Sequence, residues 1–310
     1  MTNLISPRDA FGRTLAEIGE INEKVFVVSA DLAAATKTDI FAKKFKNRYI
    51  NVGICEQNMV GVAAGLARTG FIPVMSTFAC FAPGRCYDQI RQSIAYSNLN
   101  VKVISTHPGL SVGPDGAIHQ SLDDIALMRE LPNFVVLTPS DEIETKKAIE
   151  KAIEHEGPVY VRVGRKECTA YFKEEWSYEI GKWVTIKEGV DITFIAHGCM
   201  VEVAYSAAAE LQKQGTSARV IIATSIKPID KEIIIKAAKE TKKIITIEDH
   251  FINGGLYSTV CEVTASEFPC SVRGLAVMDH FGESGSPKEL YEKYGLTVED
   301  LVKEAKKIIN

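Results

Sequence analysis

YINVGICEQNMVGVAAGLARTGFIPVMS, residues 49–76, holds the fold in miniature. Tyr49–Val52 is short and β-rich, Gly53 supplies a turn, and 56–68 is a small-residue stretch of helical period. Thr69-Gly70 ends it, and Ile72–Ser76 is β-rich again. Strand, helix and strand in that order predict a parallel crossover, because parallel neighbours need a connection of a dozen residues or more. The pattern extends outward. Strands are expected at Val25–Ala30, Val101–Thr106, Phe134–Thr138 and Val159–Val163, with helices near 7–19, 85–97 and 140–155. Ser6-Pro7-Arg8-Asp9 and Pro139-Ser140-Asp141-Glu142 read as helix starts, with a capping side chain and an acid in the opening turn.

Regularity lapses between Gly164 and about Gly189, a polar, aromatic-dotted stretch. A second alternation follows: strands at Ile192–Ala196, Arg219–Ala223, Lys243–Glu248 and Val272–Val277, with helices at 200–213 and 231–240. Thr297-Val298-Glu299-Asp300 caps the last helix. The expectation is an α/β protein of two stacked three-layer domains. A mostly parallel-sheet domain covers 1–168, a linker 169–189, and a smaller α/β domain 190–310.

Composition excludes several classes of function. The chain has 310 residues, 46% hydrophobic and 25% charged, with a formal net charge of −4. The lysine pairs at Lys146-Lys147 and Lys306-Lys307 lie between acids on helical segments, and no nucleic-acid footprint is expected. Seven cysteines form no CxxC pair and leave an odd count, which fits reduced thiols in a cytoplasmic protein. Cys80 and Cys86 lack clustered histidines, so zinc is not expected. MTNLISPRDAF has neither a charged n-region nor an apolar h-region, and no apolar run suits a bilayer. Neither a signal peptide nor a membrane partner is expected.

In open parallel sheets, ligands lie beyond the carboxyl ends of the strands. Asp31 follows the first expected strand, and Asn51, Gly53 and Glu56 close or follow the second. Thr77 and Phe78 follow the third, and His107 and Pro108 the fourth. Four strands thus deliver acids, an imidazole and an aromatic ring to one edge, more than chance placement would give.

Three segments in this order resemble the pyrimidine domain of transketolases: Gly53-Ile54-Cys55-Glu56-Gln57, Thr77-Phe78-Ala79-Cys80-Phe81, and the loop Thr106-His107 to Asp115-Gly116-Ala117-Ile118-His119-Gln120. Glu248-Asp249-His250 with Gly254-Gly255 resembles that family's carboxy-terminal domain, for which no chemistry is expected. The resemblance spans essentially the whole chain and implies a thiamine diphosphate enzyme. By it, Glu56 holds N1′ of the aminopyrimidine and favours the imino tautomer that deprotonates C2 of the thiazolium, so the cofactor carries the hard chemistry. Asp31 approaches the cofactor, and Phe78 and Phe81 line the ring pocket. The family's third aromatic falls on Gly84.

The same resemblance gives His107 to the sugar phosphate, Asp115 to a substrate hydroxyl, and His119 to the oxygens at C1 and C2. Arg13 and Arg165 become a phosphate-binding pair, with Arg162 competing for the second place. Ala35 stands where the family places a phosphate-binding Ser, leaving Thr36 or Lys37 as replacements.

The family's G-D-G…N motif, which anchors the diphosphate through Mg²⁺, does not occur in the chain. The chain matches only the second half of full-length transketolases. The resemblance therefore implies a separate N-terminal subunit bearing G-D-G, an α2β2 heterotetramer, and ketol transfer from xylulose 5-phosphate to ribose 5-phosphate. The beta subunit of 2-oxoacid dehydrogenases shares the pattern at Asp88-Gln89-Ile90, and deoxyxylulose-phosphate synthase shares the Glu segment. The D-G-x-x-H-Q loop and Phe281-Gly282-Glu283-Ser284-Gly285 favour transketolase.

Overall fold

The computed structural model describes residues 5–309; the extreme ends of the two expected domains, 1–4 and 310, lie outside them. The first sheet contains β1 (Val25–Ser29), β2 (Tyr49–Asn51), β3 (Ile72–Ser76), β4 (Lys102–Thr106), β5 (Val135–Leu137) and β6 (Val159–Val163). The second contains β7 (Val184–Lys187), β8 (Ile192–Ala196), β9 (Ala218–Ile222), β11 (Lys243–Phe251) and β12 (Ser271–Val277). A short strand between them, β10 (Ser225–Lys227), joins the first sheet. The strand orders are β10-β5-β6-β4-β3-β1-β2 and β12-β11-β8-β9-β7. All pairs are parallel except β10 with β5 and β7 with β9.

Two features depart from the sequence reading. The stretch read as a linker contains β7, which pairs antiparallel with β9, so the second sheet begins before residue 190. The second domain also lends β10 to the edge of the first sheet. There Lys227 donates through Nζ to the carbonyls of Arg129 and Leu131, at 3.0 and 2.5 Å. Strands of four and three residues such as these are too short for periodicity to reveal; their pairing is a tertiary effect.

Local chemistry explains the helix starts. Ser6 Oγ accepts from the Asp9 amide at 3.2 Å, with Pro7 first in the helix Pro7–Ile21. Asp141 accepts from the Glu144 amide at 2.8 Å, and Thr297 from the Asp300 amide at 3.2 Å. Phe11, Leu15 and Ile149 pack on one face of the first sheet. On the other face Met59, Met75 and Ile90 form a core that continues into the second domain through Ile195, Ile221 and Ile244. The two domains share this core, so they are stacked in the full sense.

The helix expected near 85–97 begins earlier. Residues Cys80–Ala95 form one run whose first and last turns are π-type, with Pro83 inside. Wide turns of this kind recur at functional sites. Here they carry Phe81 and Arg85 onto the helix that faces Glu56.

Candidate active site

The carboxyl edge of the first sheet brings Glu56, Phe78, Phe81, His107 and His119 into a chain of contacts. Glu56 opens the helix Glu56–Arg68, where an acid is favoured by the helix dipole, and its side chain is only 3% exposed. Arg85 Nη1 lies 2.8 Å from Glu56 Oε1, and its guanidinium sits 4.3 Å over the Phe81 ring. A half-exposed arginine thus reaches a buried carboxylate.

Phe78 and Phe81 stack on each other, with centroids 5.8 Å apart and planes 15° from parallel. A third ring between them would need a gap of roughly 7 Å, so they do not form a sandwich. Phe78 is buried, with its ring centroid 4.0 Å from that of His107. Phe81 is the more accessible of the two and offers its face beside Glu56. His119 presents an edge to both rings, at 6.3 and 5.6 Å.

His107 follows β4 directly and takes a left-handed backbone, φ 59°. Its Nδ1 lies 2.8 Å from Thr106 Oγ1, and its Nε2 3.4 Å from Arg8 Nη1. An arginine can only donate, so Nε2 accepts and the proton sits on Nδ1, donated to Thr106. Burial first, then the charges of Arg8, Arg165 and His119, push the imidazole down to about 3. His107 is thus a neutral ring that orients Arg8, rather than a cation.

Arg8 was missed by the sequence reading, which chose Arg13. Helices in a parallel α/β layer start at the carboxyl edge of the sheet, so the first turn of Pro7–Ile21 faces the site. The Arg8 amide donates to Gly164 at 3.1 Å, and its Nη1 to the Ala35 carbonyl at 3.3 Å. Arg13, more than a turn further on, is exposed and lines a groove with Glu17, Glu142, Lys146 and Glu174. It does not join the cluster. Arg165 does: it lowers the pKa of both Arg8 and His107, donates to the Val112 carbonyl at 3.0 Å, and stands 3.9 Å from Asp115.

Arg162 is excluded by its surroundings. It is buried, with Nε 2.8 Å from Asp124 and Nη2 2.8 Å from the Asp249 carbonyl. Near Ala35, Thr36 is buried against Thr38, and Lys37 is paired with Asp9 at 3.0 Å, so neither turns to the cluster. Asp31 lies at the end of β1 and exchanges hydrogen bonds with Asn51, which also holds the Gly53 amide. Asp115 is exposed, and its carbonyl lies 3.2 Å from His119 Nδ1.

Two family models divide the chain. One described as transketolase, pyrimidine binding domain matches residues 4–169, and one described as transketolase, C-terminal domain matches 181–301. This chain belongs to the transketolase family. It is 46% identical to a solved split-gene transketolase described as an inactive β4 tetramer, with a TM-score of 0.92 and 98% of each chain covered. It is 38% identical to one of the subunits of an apulose-4-phosphate transketolase from Phocaeicola vulgatus, over 98% of this chain and 97% of that one. To a 6-deoxy-6-sulfo-D-fructose transketolase subunit of a Clostridium species it is 36% identical, over 97% and 94%. The transketolase match covers both domains, including the Glu248-Asp249-His250 segment.

What this edge of a transketolase-family chain can do follows from its parts. Glu56 offers a carboxylate shielded from water, and Phe81 offers a flat apolar face beside it. Arg8 and Arg165 offer two permanent cations, and His119 a partly exposed imidazole. Among the described residues, no group of three or more His, Cys, Asp or Glu could hold a metal ion, and no helix is long and apolar enough to cross a membrane.

Proposed function

We propose that this chain is the pyrimidine-binding subunit of a thiamine-diphosphate-dependent transketolase that moves a two-carbon ketol unit between sugar phosphates in the cytoplasm. The observation that carries this reading is the buried Glu56 carboxylate on the same sheet edge as Arg8, His107, His119 and Arg165. The residues present fit the pyrimidine half of the cofactor: Glu56 for a ring nitrogen, Phe81 for a ring face. They leave the diphosphate and Mg²⁺ unserved, which supports a second chain bearing G-D-G. When bound, the cofactor supplies a carbon nucleophile able to attack a ketose carbonyl.

This chain's own residues do the rest. Glu56 holds a proton-bearing contact with the ring nitrogen, and Asp31 and Phe81 frame the cofactor beside Phe78. Arg8 and Arg165 clamp the anionic tail of the sugar through charge-assisted hydrogen bonds. His107 keeps Arg8 in place, Asp115 accepts from a sugar hydroxyl, and His119 moves a proton at the oxygens of C1 and C2.

A second chain is further supported by what the edge exposes. Ile54 and Ile118, at 74% and 82% exposure, flank the site. Gly61 and Gly65 face outward, and a Cβ on either would meet no heavy atom within 4 Å. An α2β2 assembly would cover this face. The Clostridium and Phocaeicola relatives are named for a sulfonated and a phosphorylated sugar, and two arginines suit either anion.

Co-expression with a G-D-G-bearing partner tests the reading. With thiamine diphosphate and Mg²⁺, the pair should transfer a ketol unit from xylulose 5-phosphate to ribose 5-phosphate, and this chain alone should not. Glu56→Ala should lower the pair's kcat by about 10²- to 10⁴-fold. Activity on pyruvate with lipoamide, and none on sugar phosphates, would assign the chain to the 2-oxoacid dehydrogenases instead.

A further inference from the structure

The second sheet also gathers ionisable groups at its carboxyl edge. His197 follows β8, and Glu248, Asp249 and His250 stand within β11, all four buried. Such an edge is where an open parallel sheet receives a ligand. Here the chain itself occupies it. The loop 107–120 of the first domain lies across this edge. Asp249 Oδ1 accepts from the Leu110 amide at 2.8 Å, and Oδ2 from the Ser111 amide at 3.4 Å. The Tyr291 hydroxyl donates to the same Oδ2 at 3.0 Å. The loop is held at its far end too, where Gln120 donates to the Glu283 carbonyl at 2.9 Å.

The loop's own hydrogen bonds are short-range: a 3₁₀ stretch at Leu110–Asp115, Ser111 Oγ to the Pro108 carbonyl, and single amide bonds at Gly116 and His119. His107, Gly109, Gly113 and Gly116 all have positive φ, at 59°, 71°, 77° and 82°. A backbone of that shape makes no continuous ladder, so its conformation depends on outside anchors. Asp249 offers two acceptor atoms to two consecutive amides, three and four residues beyond His107, and a Cβ on Gly109 would strike its carboxylate.

We propose that Asp249 is a positioning residue: from the second domain it anchors Leu110 and Ser111, and through them sets the placement of His107, Asp115 and His119. The consequence for substrate rests on the function proposed for the first edge; the anchoring itself does not. On this view the second domain shapes the substrate site of the first, beyond any part in assembly.

Asp249→Asn in the assembled two-chain enzyme is the test, since it turns one acceptor oxygen into a donor that faces donors. Amide hydrogen exchange across 107–120 should quicken about tenfold or more, while the helix Leu256–Glu267 keeps its wild-type protection. The KM for xylulose 5-phosphate should rise about tenfold, and kcat should fall with it by about tenfold as His119 loses its placement. Exchange of the C2 proton of bound thiamine diphosphate, which reads Glu56, should not change. Tyr291→Phe, which removes a donor from the same carboxylate without touching the loop, should leave loop exchange and KM near wild type. Wild-type loop exchange in Asp249→Asn, equal loosening throughout the second domain, or equal loosening by Tyr291→Phe would overturn the proposal. C2 exchange that survives Glu56→Ala would sink the functional reading instead, and loop exchange alone then decides the anchor.

Discussion

At the carboxyl edge of the first sheet, Phe81 and His119 remain partly accessible between exposed Ile54 and Ile118. At the same edge of the second sheet, His197, Glu248, Asp249 and His250 are buried, and a loop from the first domain lies on Asp249. Topology nominates both edges equally, since each is the carboxyl end of a parallel sheet with acids and imidazoles at its strand ends. What separates them is cover. Glu248 spends its oxygens on the Leu256 and Tyr257 amides at the start of a helix, at 2.7 and 2.8 Å, and Asp249 on the loop. The second edge has become an internal binding site for the protein's own backbone, and the first stays available for chemistry.

Two glycines measure that difference most strongly. Gly109 and Gly53 both have left-handed backbones, φ 71° and 75°. A Cβ on Gly109 would collide with Asp249, whereas one on Gly53 meets no heavy atom within 4 Å. Gly53→Ala should therefore cost only the backbone strain, about 1–2 kcal/mol. Gly109→Ala adds overpacking and a displaced carboxylate, for about 3–5 kcal/mol in all. Urea denaturation of the two variants decides it. Equal losses would mean the second edge is as open as the first.

Much of the architecture could be read from the sequence because alternating strand and helix periods dictate a parallel sheet. The capping residues Ser6, Asp141 and Thr297 marked helix starts for a local reason that the chain states openly. β7 and β10 escaped, because such short edge strands are defined by what they pair with. At the site, Glu56, Phe81, His107, His119 and Arg165 fall on one edge as the motif order implied. Three features were hidden. Arg85 reaches Glu56 only through π-type turns that no periodicity shows. Asp249 contacts Leu110 across 139 residues. Arg8 was legible and overlooked: a residue in the first turn after Ser6-Pro7 must lie at the strand ends, whereas Arg13 falls beyond that turn.

That oversight yields the next prediction. Arg8→Ala in the assembled enzyme should raise KM for a phosphorylated sugar about 10- to 100-fold, the worth of a charge-assisted hydrogen bond in a partly buried setting. Arg13→Ala, on an exposed face, should change it by less than about twofold. Steady-state kinetics with xylulose 5-phosphate reads both. If Arg13 proved the costlier loss, the open edge would have to extend around the helix Pro7–Ile21, and the contrast with the buried edge would blur.

The last contrast lies between the two imidazoles that hold equivalent places, His107 after β4 and His197 after β8. Burial lowers both from the ordinary value of 6.5, His107 to about 3; at His107 neighbouring cations add to the shift, and at His197 Glu248 opposes it. A lowered folded-state pKa means the unfolded chain takes the proton first as pH falls. The stability of each neutral ring is therefore intact above pH 6.5 and declines on acidification, for His107 across the window from 6.5 to about 3. For His107 the slope within that window is about 1.4 kcal/mol per pH unit. Replacing His107 with Asn should flatten the acid limb of a stability–pH profile by that amount, and replacing His197 with Asn should flatten it in the same direction. Saturating sugar phosphate separates them, since an anion at Arg8 weakens the repulsion that depresses His107 and cannot reach His197. The ligand should therefore flatten the limb in His197→Asn, where His107 remains, and leave it unchanged in His107→Asn. A ligand effect of equal size in both variants would place the anion away from His107, and the two edges would then no longer differ in the way their exposure implies.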